Sequence, residues 1–375
     1  MLEQIAEQTS LCAACPKMCR HACPVSNAER RETVTPALKM TAVDLARRGR
    51  LPLDEELAGV VHACTSCGAC SQFCKLGNNV AQALVDARVP LAHAGVSRVA
   101  RQVAERMDRF GNPTGADLSK LHRQRVPARP ERGALVLWPG CTALRRLPEH
   151  ASDVVAALER ALGHALAVVP PDSESACCGY PLWAAGLHER FAVQARLVTQ
   201  HLKDRGALLT SDPGCAWTFN VLYPQFGSPL QQPARHVSQV LAGVVLPSTW
   251  KGPAPLYHDP CHLGRHLGVY DDPRAALLRG LNVEPREFTW NRAVSECCGG
   301  GGLYPHANRA GAVAVARRRV QHEVDERQRT GAETVVTACP GCELMFSRAG
   351  VPALDLARAL LGKTSPAPRT EGGTR

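Results

Sequence analysis

Two short stretches, HDPCH at 258–262 and SECCGGGG at 295–302, decide how the C-terminal half of this chain is interpreted. The first contains a single cysteine, Cys261, and after 35 intervening residues the second contains the adjacent pair Cys297 and Cys298. The sequence CPGC follows at 339–342. Adjacent cysteines rarely form a disulfide with each other, because the bond needs a geometry that neighbouring residues reach only with strain. These thiols therefore indicate a shared chemistry other than disulfide formation.

The same arrangement occurs earlier in the chain. Cys141 is followed, again after 35 residues, by the pair Cys177 and Cys178. DPGC at 212–215 then takes the place of CPGC, so that Asp212 stands where a fifth cysteine is expected. The equal spacing between the single cysteine and the pair, and the same order of all three features, indicate an internal repeat.

Each repeat alternates strand and helix. The apolar segments ALVLWPGC at 134–141 and APLYHDPC at 254–261 read as strands that end at a cysteine. The segments ALLTS and TVVTA, each after an amphipathic helix, read as strands that end just before DPGC and CPGC. This alternation predicts two α/β modules with largely parallel sheets. Ligands bind at the carboxyl ends of such strands, so we expect each module's cysteines to converge on one rim.

Eight further cysteines form two N-terminal groups, CAACPKMCRHAC at 12–23 and CTSCGACSQFC at 64–74. Three close cysteines and a more distant fourth resemble the bacterial ferredoxin run, in which the fourth cysteine binds the other [4Fe-4S] cluster. The run predicts a first N-terminal set and a second N-terminal set, each binding one cluster. The first N-terminal set is Cys12, Cys15, Cys19 and Cys74. The second N-terminal set is Cys23, Cys64, Cys67 and Cys70.

This N-terminal pattern departs from a ferredoxin in two ways. Three residues, not two, separate Cys15 from Cys19, and Cys74 is followed by Lys75 instead of proline. The residues between the groups have helical periodicity, which predicts a helical two-cluster domain. The alternative is two zinc sites, although zinc sites usually pair two CxxC knuckles.

Composition limits the classes of partner and compartment. The chain has 375 residues, 45% of them hydrophobic, with 44 Lys+Arg against 34 Asp+Glu. The arginines are scattered and aromatics make up only 5%, so we expect no nucleic-acid partner. The start of the chain lacks a secretory signal, and no apolar run is long enough to span a bilayer. We therefore expect a cytoplasmic protein, able to associate peripherally with the inner face of a membrane through a partner, with few structural disulfides among its 17 cysteines.

The duplicated pattern of C, CCG and CPGC after two ferredoxin motifs resembles the iron–sulfur oxidoreductases of the heterodisulfide reductase type. The iron–sulfur subunits of glycolate oxidase and anaerobic glycerol-3-phosphate dehydrogenase share this architecture. The resemblance covers residues 12 to about 345, and YHDPCHLGRH at 257–266 and NRAVSECCGGGG at 291–302 are its most specific stretches. The implied fold class is α+β and multidomain: an α-helical two-cluster ferredoxin domain followed by two cysteine-rich (CCG) modules.

The resemblance also implies roles for the module cysteines. In the family, a complete motif holds a [4Fe-4S] cluster, in some cases non-cubane, that binds or reduces a disulfide. The complete second-module set, which would be catalytic as well as metal-binding, is Cys261, Cys297, Cys298, Cys339 and Cys342. The first-module set, which either binds a cluster or is metal-free, is Cys141, Cys177, Cys178 and Cys215 with Asp212.

Three residues around the second-module set are candidate cofactor contacts. His258 and His262 flank a cysteine, and either could hydrogen-bond to cluster sulfur, relay a proton, or make a structural hydrogen bond. Gly299 begins a glycine run that predicts close approach of the backbone to a cluster, since the P-loop lysine is missing. Arg265 and Arg292 are weaker candidates for neutralising an anionic substrate.

Domain boundaries are predicted from composition. We expect the ferredoxin-type domain at 1–110, a linker at 111–133 and the first module at 134–245. A second linker at 246–255, the second module at 256–361 and a disordered tail at 362–375 complete the chain.

The function predicted from these features is electron transfer within an oxidoreductase. A flavoprotein dehydrogenase or electron-transfer flavoprotein would exchange electrons with a quinone or a disulfide, through two [4Fe-4S] cubanes and one or two further clusters in the modules. A membrane subunit that reduces quinone is a further expected partner. One alternative is a thiol–disulfide reductase whose active site is the second-module set. Another is a zinc-stapled scaffold without redox activity.

Overall fold

A computed structural model describes residues 2–245, 250–330 and 334–364 of the chain, without the side chains of 322–330. These residues form a helical N-terminal domain followed by two modules, each built on a four-stranded parallel sheet. The prediction of a helical ferredoxin-type domain and two repeated α/β modules is confirmed. Among the described residues, no helix combines the length and apolar character needed to cross a membrane.

The N-terminal domain consists of short helices whose starts are fixed by capping side chains. Thr35, Asp54 and Ser97 each accept a hydrogen bond from a backbone N–H in the first turn of the helix that follows. The α-helices are α1 Ala6–Ala14, α2 Pro24–Glu29, α3 Pro36–Arg47, α4 Glu55–His62, α5 Ala69–Gln72, α6 Val80–His93 and α7 Arg98–Phe110. Short 3₁₀ helices occupy Leu2–Ile5, Arg20–Ala22 and Glu32–Val34.

The first module has the strand order β2-β1-β3-β4, with all neighbours parallel. Its strands are β1 Leu135–Trp138, β2 Ala167–Val168, β3 Ala207–Thr210 and β4 Arg235–His236. Its helices are α8 Leu118–Arg125, α9 Cys141–Arg146, α10 His150–Leu162, α11 Tyr180–Ala184, α12 His188–Leu202, α13 Pro213–Trp217, a π-helical turn Thr218–Leu222, α14 Tyr223–Gln225 and α15 Val237–Leu241.

The second module repeats this topology with the strand order β6-β5-β7-β8, again parallel. Its strands are β5 Leu256–His258, β6 Arg286–Glu287, β7 Val335–Thr337 and β8 Ala353–Asp355. Its helices are α16 Asp271–Leu281, a 3₁₀ turn Arg292–Val294, α17 Tyr304–Ala307, α18 Arg309–Thr330, α19 Pro340–Arg348 and α20 Leu356–Leu360.

The two modules pack against each other with reciprocal helix pairs. Helix α10 of the first module contacts α20 of the second, and α15 contacts α16. Because α10 corresponds to α16 in the repeat, and α15 to α20, the modules are related as in an isologous dimer. This arrangement turns equivalent rims toward a common interface.

The predicted linkers and tail take the following form. Residues 111–133 contain helix α8, and Leu118 and Val126 are buried in the core of the first module. Of the second linker, 246–249 lie outside the described residues, as do 365–375 of the predicted tail.

Candidate metal centres

The first N-terminal set lies between helix α1 and the loop that ends at Asn78. Burial, then the charge of Cys19, raises the pKa of the Cys12 thiol to about 12, and Cys74 and Cys15 add to this shift. The Asn78 side chain donates to the Cys12 sulfur at 3.1 Å, and its backbone N–H donates to the Cys74 sulfur at 3.4 Å. The structure thus brings together the four thiols that the ferredoxin pattern assigns to one cluster, with N–H donors aimed at two of them.

The second N-terminal set is deeper in the protein and faces a cation. Cys23, Cys64, Cys67 and Cys70 line one small cavity together with Lys39. The Lys39 ammonium lies 3.8 Å from the Cys23 sulfur and donates to the Ala63 carbonyl. Burial alone would lower the pKa of Lys39, but the four thiolates raise it, so this buried lysine stays protonated.

The second-module set lies where strands β5, β6 and β7 end. Cys261 follows β5, the pair Cys297 and Cys298 follows β6, and Cys339 and Cys342 begin α19. The sulfurs of Cys298 and Cys342 are 3.0 Å apart. Convergence at the carboxyl ends of parallel strands brings cysteines that are 81 positions apart (261 to 342) into one site.

The two histidines that flank Cys261 occupy different surroundings. His258 is fully buried between the rings of Phe288 and Phe346, and neither of its ring nitrogens has a partner at hydrogen-bond distance in the described part of the chain. One of these nitrogens lies within 4.8 Å of the sulfurs of Cys298 and Cys342. An unpartnered buried nitrogen beside two thiols fits a bound cluster, since such groups are otherwise costly.

His262 lies at the interface of the two modules. Its Nδ1 is 3.5 Å from the Cys261 sulfur, and its ring packs edge-on against Tyr180 and Trp217 of the first module. Burial alone would lower the pKa of His262, but the charge of Cys261, its hydrogen bond to the ring, and the charges of Asp212 and Cys67 together raise the pKa. A protonated imidazole at this position would stabilise the neighbouring thiolate.

The first-module set occupies the equivalent positions of the repeat. Gly179 N–H donates to the Cys177 sulfur at 3.5 Å, and Gly299 N–H donates to the Cys297 sulfur at 3.3 Å. Both glycines have φ near +85°, with values of +85° and +88°, which favours glycine. Each CCG glycine therefore shapes a turn that points an N–H at the first sulfur of the pair.

Asp212 has a local structural role that its counterpart Cys339 lacks. Its Oδ1 accepts a hydrogen bond from Gly214 N–H at 2.9 Å and caps α13, whereas the Cys339 side chain makes no cap on α19. Burial, and then the charge of Cys178, raises the pKa of Asp212. The carboxylate thus caps a helix while facing the first-module thiols.

The glycine run that follows Gly299 contacts the N-terminal domain. A Cβ at Gly301 would lie 2.5 Å from the Thr65 carbonyl oxygen, and one at Gly302 would lie 2.4 Å from the Cys64 carbonyl oxygen. The loop that holds the second N-terminal set therefore packs directly on the loop of the second-module set. Cys67 lies in one buried cluster with Cys261 and Cys297, which are predicted ligands of the other site.

Three arginines that hold these loops in place are not recognisable as such from sequence spacing. Arg88, fully buried, donates to carbonyls of the N-terminal domain and of both modules: Val61, Cys64, Ala184 and Gly302. Arg265, a candidate anion ligand in the sequence, instead donates to the carbonyls of Cys67, Ala293 and Ser295. Arg274 makes a two-pronged ion pair at 2.8 Å with Asp259, which fixes the loop before Cys261. Arg292 lies on the surface, paired with Asp271.

A cavity of about 610 Å³ opens between the modules, and cysteines of both module sets line it. Its lining includes Cys141, Cys177, Cys178, Asp212 and Cys215 from the first module and Cys261, His262, Cys298, Cys339 and Cys342 from the second. Arg106, Arg146, Arg309, Arg348 and His306 also line it. Burial, followed by repulsion from three of these arginines, lowers the pKa of His306 to about 4. The positive charge along the cavity wall therefore comes from the arginines and not from this histidine.

The donor sets fit iron–sulfur clusters. All 17 cysteines are free, and 12 of them are buried in four groups, together with N–H donors aimed at sulfur. Burial, and then the charges of neighbouring cysteines, raises the pKa of the Cys12 and Cys19 thiols, which hold their protons when no metal is bound. Thiolate ligation releases those protons, so such clustering favours a metal.

Comparison with known proteins agrees with this arrangement. Residues 8–78 match the family described as "4Fe-4S dicluster domain", and residues 135–220 and 256–347 match the family described as "Cysteine-rich domain". The chain is therefore an iron–sulfur protein that combines one dicluster domain with two cysteine-rich domains, and the resemblance predicted from its motifs is confirmed.

Two curated relatives and one solved structure illustrate the similarity. The chain is 29% identical over 309 residues to a subunit of the dihydromethanophenazine:CoB–CoM heterodisulfide reductase of Methanosarcina barkeri, covering 78% of this chain and 74% of that protein. It is 27% identical over 314 residues to EtfAB:quinone oxidoreductase of Syntrophomonas wolfei, covering 76% of this chain but 42% of that protein. A crystal structure of a hypothetical protein from Helicobacter pylori shares the fold with a TM-score of 0.50 and 9% identity, over 87% of this chain and 67% of that one.

Replacing Asp212 tests whether the missing fifth thiolate limits metal binding in the first module. Asp212→Cys completes the five-cysteine pattern but removes the α13 cap, which costs about 1 kcal/mol of stability. We expect the iron content to rise if the missing thiolate is what limits this site, measured as iron and acid-labile sulfide per chain. Asp212→Asn is the matched control, because it preserves the cap and adds no ligand of comparable strength. Unchanged iron in Asp212→Cys would show that the aspartate is not what limits metal binding here.

Proposed function

We propose that this chain is an electron-transfer subunit of an oxidoreductase, passing electrons between a flavoprotein partner and a quinone or disulfide. The observation that carries the proposal is the contact between the loop of the second N-terminal set and the second-module set, where Cys67 packs with Cys261 and Cys297. The cysteine sites are thereby joined through the protein interior, from the N-terminal domain to the cavity.

The proposed cofactors are two [4Fe-4S] clusters in the N-terminal sets and one or two more in the modules. When bound, they supply one-electron carriers whose potentials depend on hydrogen bonds to sulfur, on charge and on exposure. The chain contributes thiolates, N–H donors aimed at sulfur, and a dry environment around most ligands. Arg88 and Arg265 fix the loop at 64–67 against the second module through backbone carbonyls.

The partners are proposed from what this chain lacks and from its relatives. No dinucleotide-binding fingerprint is visible in the sequence, so an organic cofactor would have to come from another subunit. The name of one relative joins EtfAB with a quinone, and that of another concerns a CoB–CoM heterodisulfide. We place the assembly in the cytoplasm, with a membrane subunit as an optional quinone-side partner.

A second candidate, disulfide reduction by this chain itself, is favoured by the cavity. The cavity has room for a small molecule, and cysteines of both module sets line it. Reducing one disulfide to two thiols consumes two electrons and two protons. The electrons would arrive through the N-terminal sites, and protonated His262, whose Nδ1 is 3.5 Å from the Cys261 sulfur, would donate one of the protons. The residues proposed as catalytic are Cys261, Cys297, Cys298, Cys339 and Cys342.

Metal analysis tests the electron-transfer proposal. We expect anaerobically purified protein to contain about 12 irons with matching sulfide, or about 16 if both modules are loaded, at four irons per cluster. Iron, zinc and acid-labile sulfide are measured on the same sample. Zinc with almost no sulfide would contradict the proposal and leave the zinc-stapled scaffold.

Reoxidation of the reduced protein separates the two acceptors. The chain is reduced anaerobically with an artificial one-electron donor and then mixed with a water-soluble quinone or with a small organic disulfide carrying carboxylates. If the visible absorbance lost on reduction recovers rapidly with the quinone but not with the disulfide, the result supports electron transfer to a quinone. Stoichiometric formation of two thiols per disulfide supports disulfide reduction, and inactivity with every disulfide tried, in protein with full clusters, contradicts it.

A further inference from the structure

Two buried cations flank the second N-terminal set. Lys39 is 1% exposed and Arg88 is fully buried. The Lys39 ammonium contacts the Cys23 sulfur and the Ala63 carbonyl, and the Arg88 guanidinium donates only to backbone carbonyls, one of them that of Cys64. Within the described part of the chain, neither cation has a carboxylate partner.

An unpaired buried charge is expensive, and proteins almost always supply a counter-charge. The group of opposite sign beside Lys39 is the four-thiolate site itself, since Cys23, Cys64, Cys67 and Cys70 line the same cavity. This places a full positive charge in a dry environment next to one predicted cluster.

The first N-terminal set has a different environment. Its buried donor is Asn78, a neutral amide that is 5% exposed. The lysines near it in sequence, Lys17 and Lys75, are exposed, so solvent and salt screen their charges. The two sets are therefore similar in ligands but unequal in electrostatics.

We propose that the charge of Lys39 gives the second N-terminal site the higher reduction potential of the two N-terminal sites. A reduced cluster carries one more negative charge than an oxidised one, and a buried cation stabilises that added charge. At equilibrium, an electron that enters the N-terminal domain therefore favours the second N-terminal site, which packs against the second-module set. This inference rests on the proposed cluster assignment of the two N-terminal sets.

Neutral substitutions of Lys39 test the inference. Lys39→Gln preserves a donor for the Ala63 carbonyl while removing the charge, and Lys39→Met removes both. The full chain is titrated reductively and followed by electron paramagnetic resonance, and the N-terminal signals are those that persist in a variant carrying both Cys178→Ser and Cys298→Ser. We expect the higher of the two N-terminal potentials to fall in both variants by a similar amount, and the lower to stay unchanged.

The matched control is Lys75→Gln, which removes an exposed lysine adjacent to Cys74 and should move neither potential. Unchanged potentials with full iron in the Lys39 variants, or a shift of the lower potential only, would overturn the inference. Loss of about four irons in both variants would also overturn it, because Lys39 would then be needed to hold the cluster and not to tune it. Wild-type protein without clusters would instead defeat the proposed function itself.

Discussion

Cys298→Ser should remove the cluster of the second module and leave both N-terminal clusters in place. The Cys298 sulfur lies 3.0 Å from that of Cys342 and within 4.8 Å of a ring nitrogen of His258, so it is at the centre of the buried donor set. A serine hydroxyl is a much poorer ligand for iron than a thiolate. We expect the loss of about four irons per chain and of the associated paramagnetic signal, with the N-terminal signals retained.

Cys178→Ser is the matched control, because it alters the equivalent cysteine of the first module. If only the second module is loaded, this variant loses no iron. If both modules are loaded, it loses the same amount as Cys298→Ser but a different signal. Disappearance of the N-terminal signals in Cys298→Ser would contradict the division of the cysteines into separate sets.

The architecture could be predicted from sequence because periodicity and cysteine spacing are local. Strand β1 ends three residues before Cys141, and β5 ends three residues before Cys261, as the apolar segments indicate. The ferredoxin pattern likewise predicts the partners of Cys12, and the structure places Cys15, Cys19 and Cys74 near it. Which thiols bind which cluster stays a prediction.

The joining of the domains could not be predicted, because it depends on contacts between residues far apart in sequence. Arg88 donates to a carbonyl 214 positions away, and nothing in the helical segment around it distinguishes it from the other arginines. Lys39 reads as one polar position in an amphipathic helix, and only the packing of α3 shows that it faces four thiols. The approach of the glycine run to a cluster stays a prediction, with Gly299 N–H directed at the Cys297 sulfur, and the contacts of Gly301 and Gly302 with the backbone of Thr65 and Cys64 could not be predicted.

The role of Asp212 shows how a substitution within a repeat can be interpreted only with structure. By sequence it is a missing ligand, and in the structure it also caps a helix through Gly214. A cap at that position is the reason an aspartate is stable there whether or not metal binds. Cys339 makes no cap, so its side chain lacks this metal-independent contribution to stability.

Gly302→Ala should weaken the packing of the N-terminal domain on the second module. The residue has a φ of +59°, and an added Cβ would lie 2.4 Å from the Cys64 carbonyl oxygen and 2.6 Å from the Thr65 carbonyl carbon. Gly302 also donates to the Tyr180 hydroxyl and accepts from Arg88, so any shift disturbs contacts with all three domains. We expect the positive φ to cost about 1–2 kcal/mol and the backbone clash about 1–3 kcal/mol more.

Gly268→Ala is the control for the conformational part of that cost. Gly268 lies in the same module with a φ of +73°, but nothing lies within 4 Å of its added Cβ. The free energy of unfolding, measured anaerobically in denaturant, should therefore fall further in Gly302→Ala than in Gly268→Ala by about the clash term. The rate at which reduced N-terminal clusters are reoxidised through the second module should fall only in Gly302→Ala. Equal stability and equal rates in the two variants would mean that the glycine run does not hold the domains together, and that the path between the N-terminal sites and the cavity depends on other contacts.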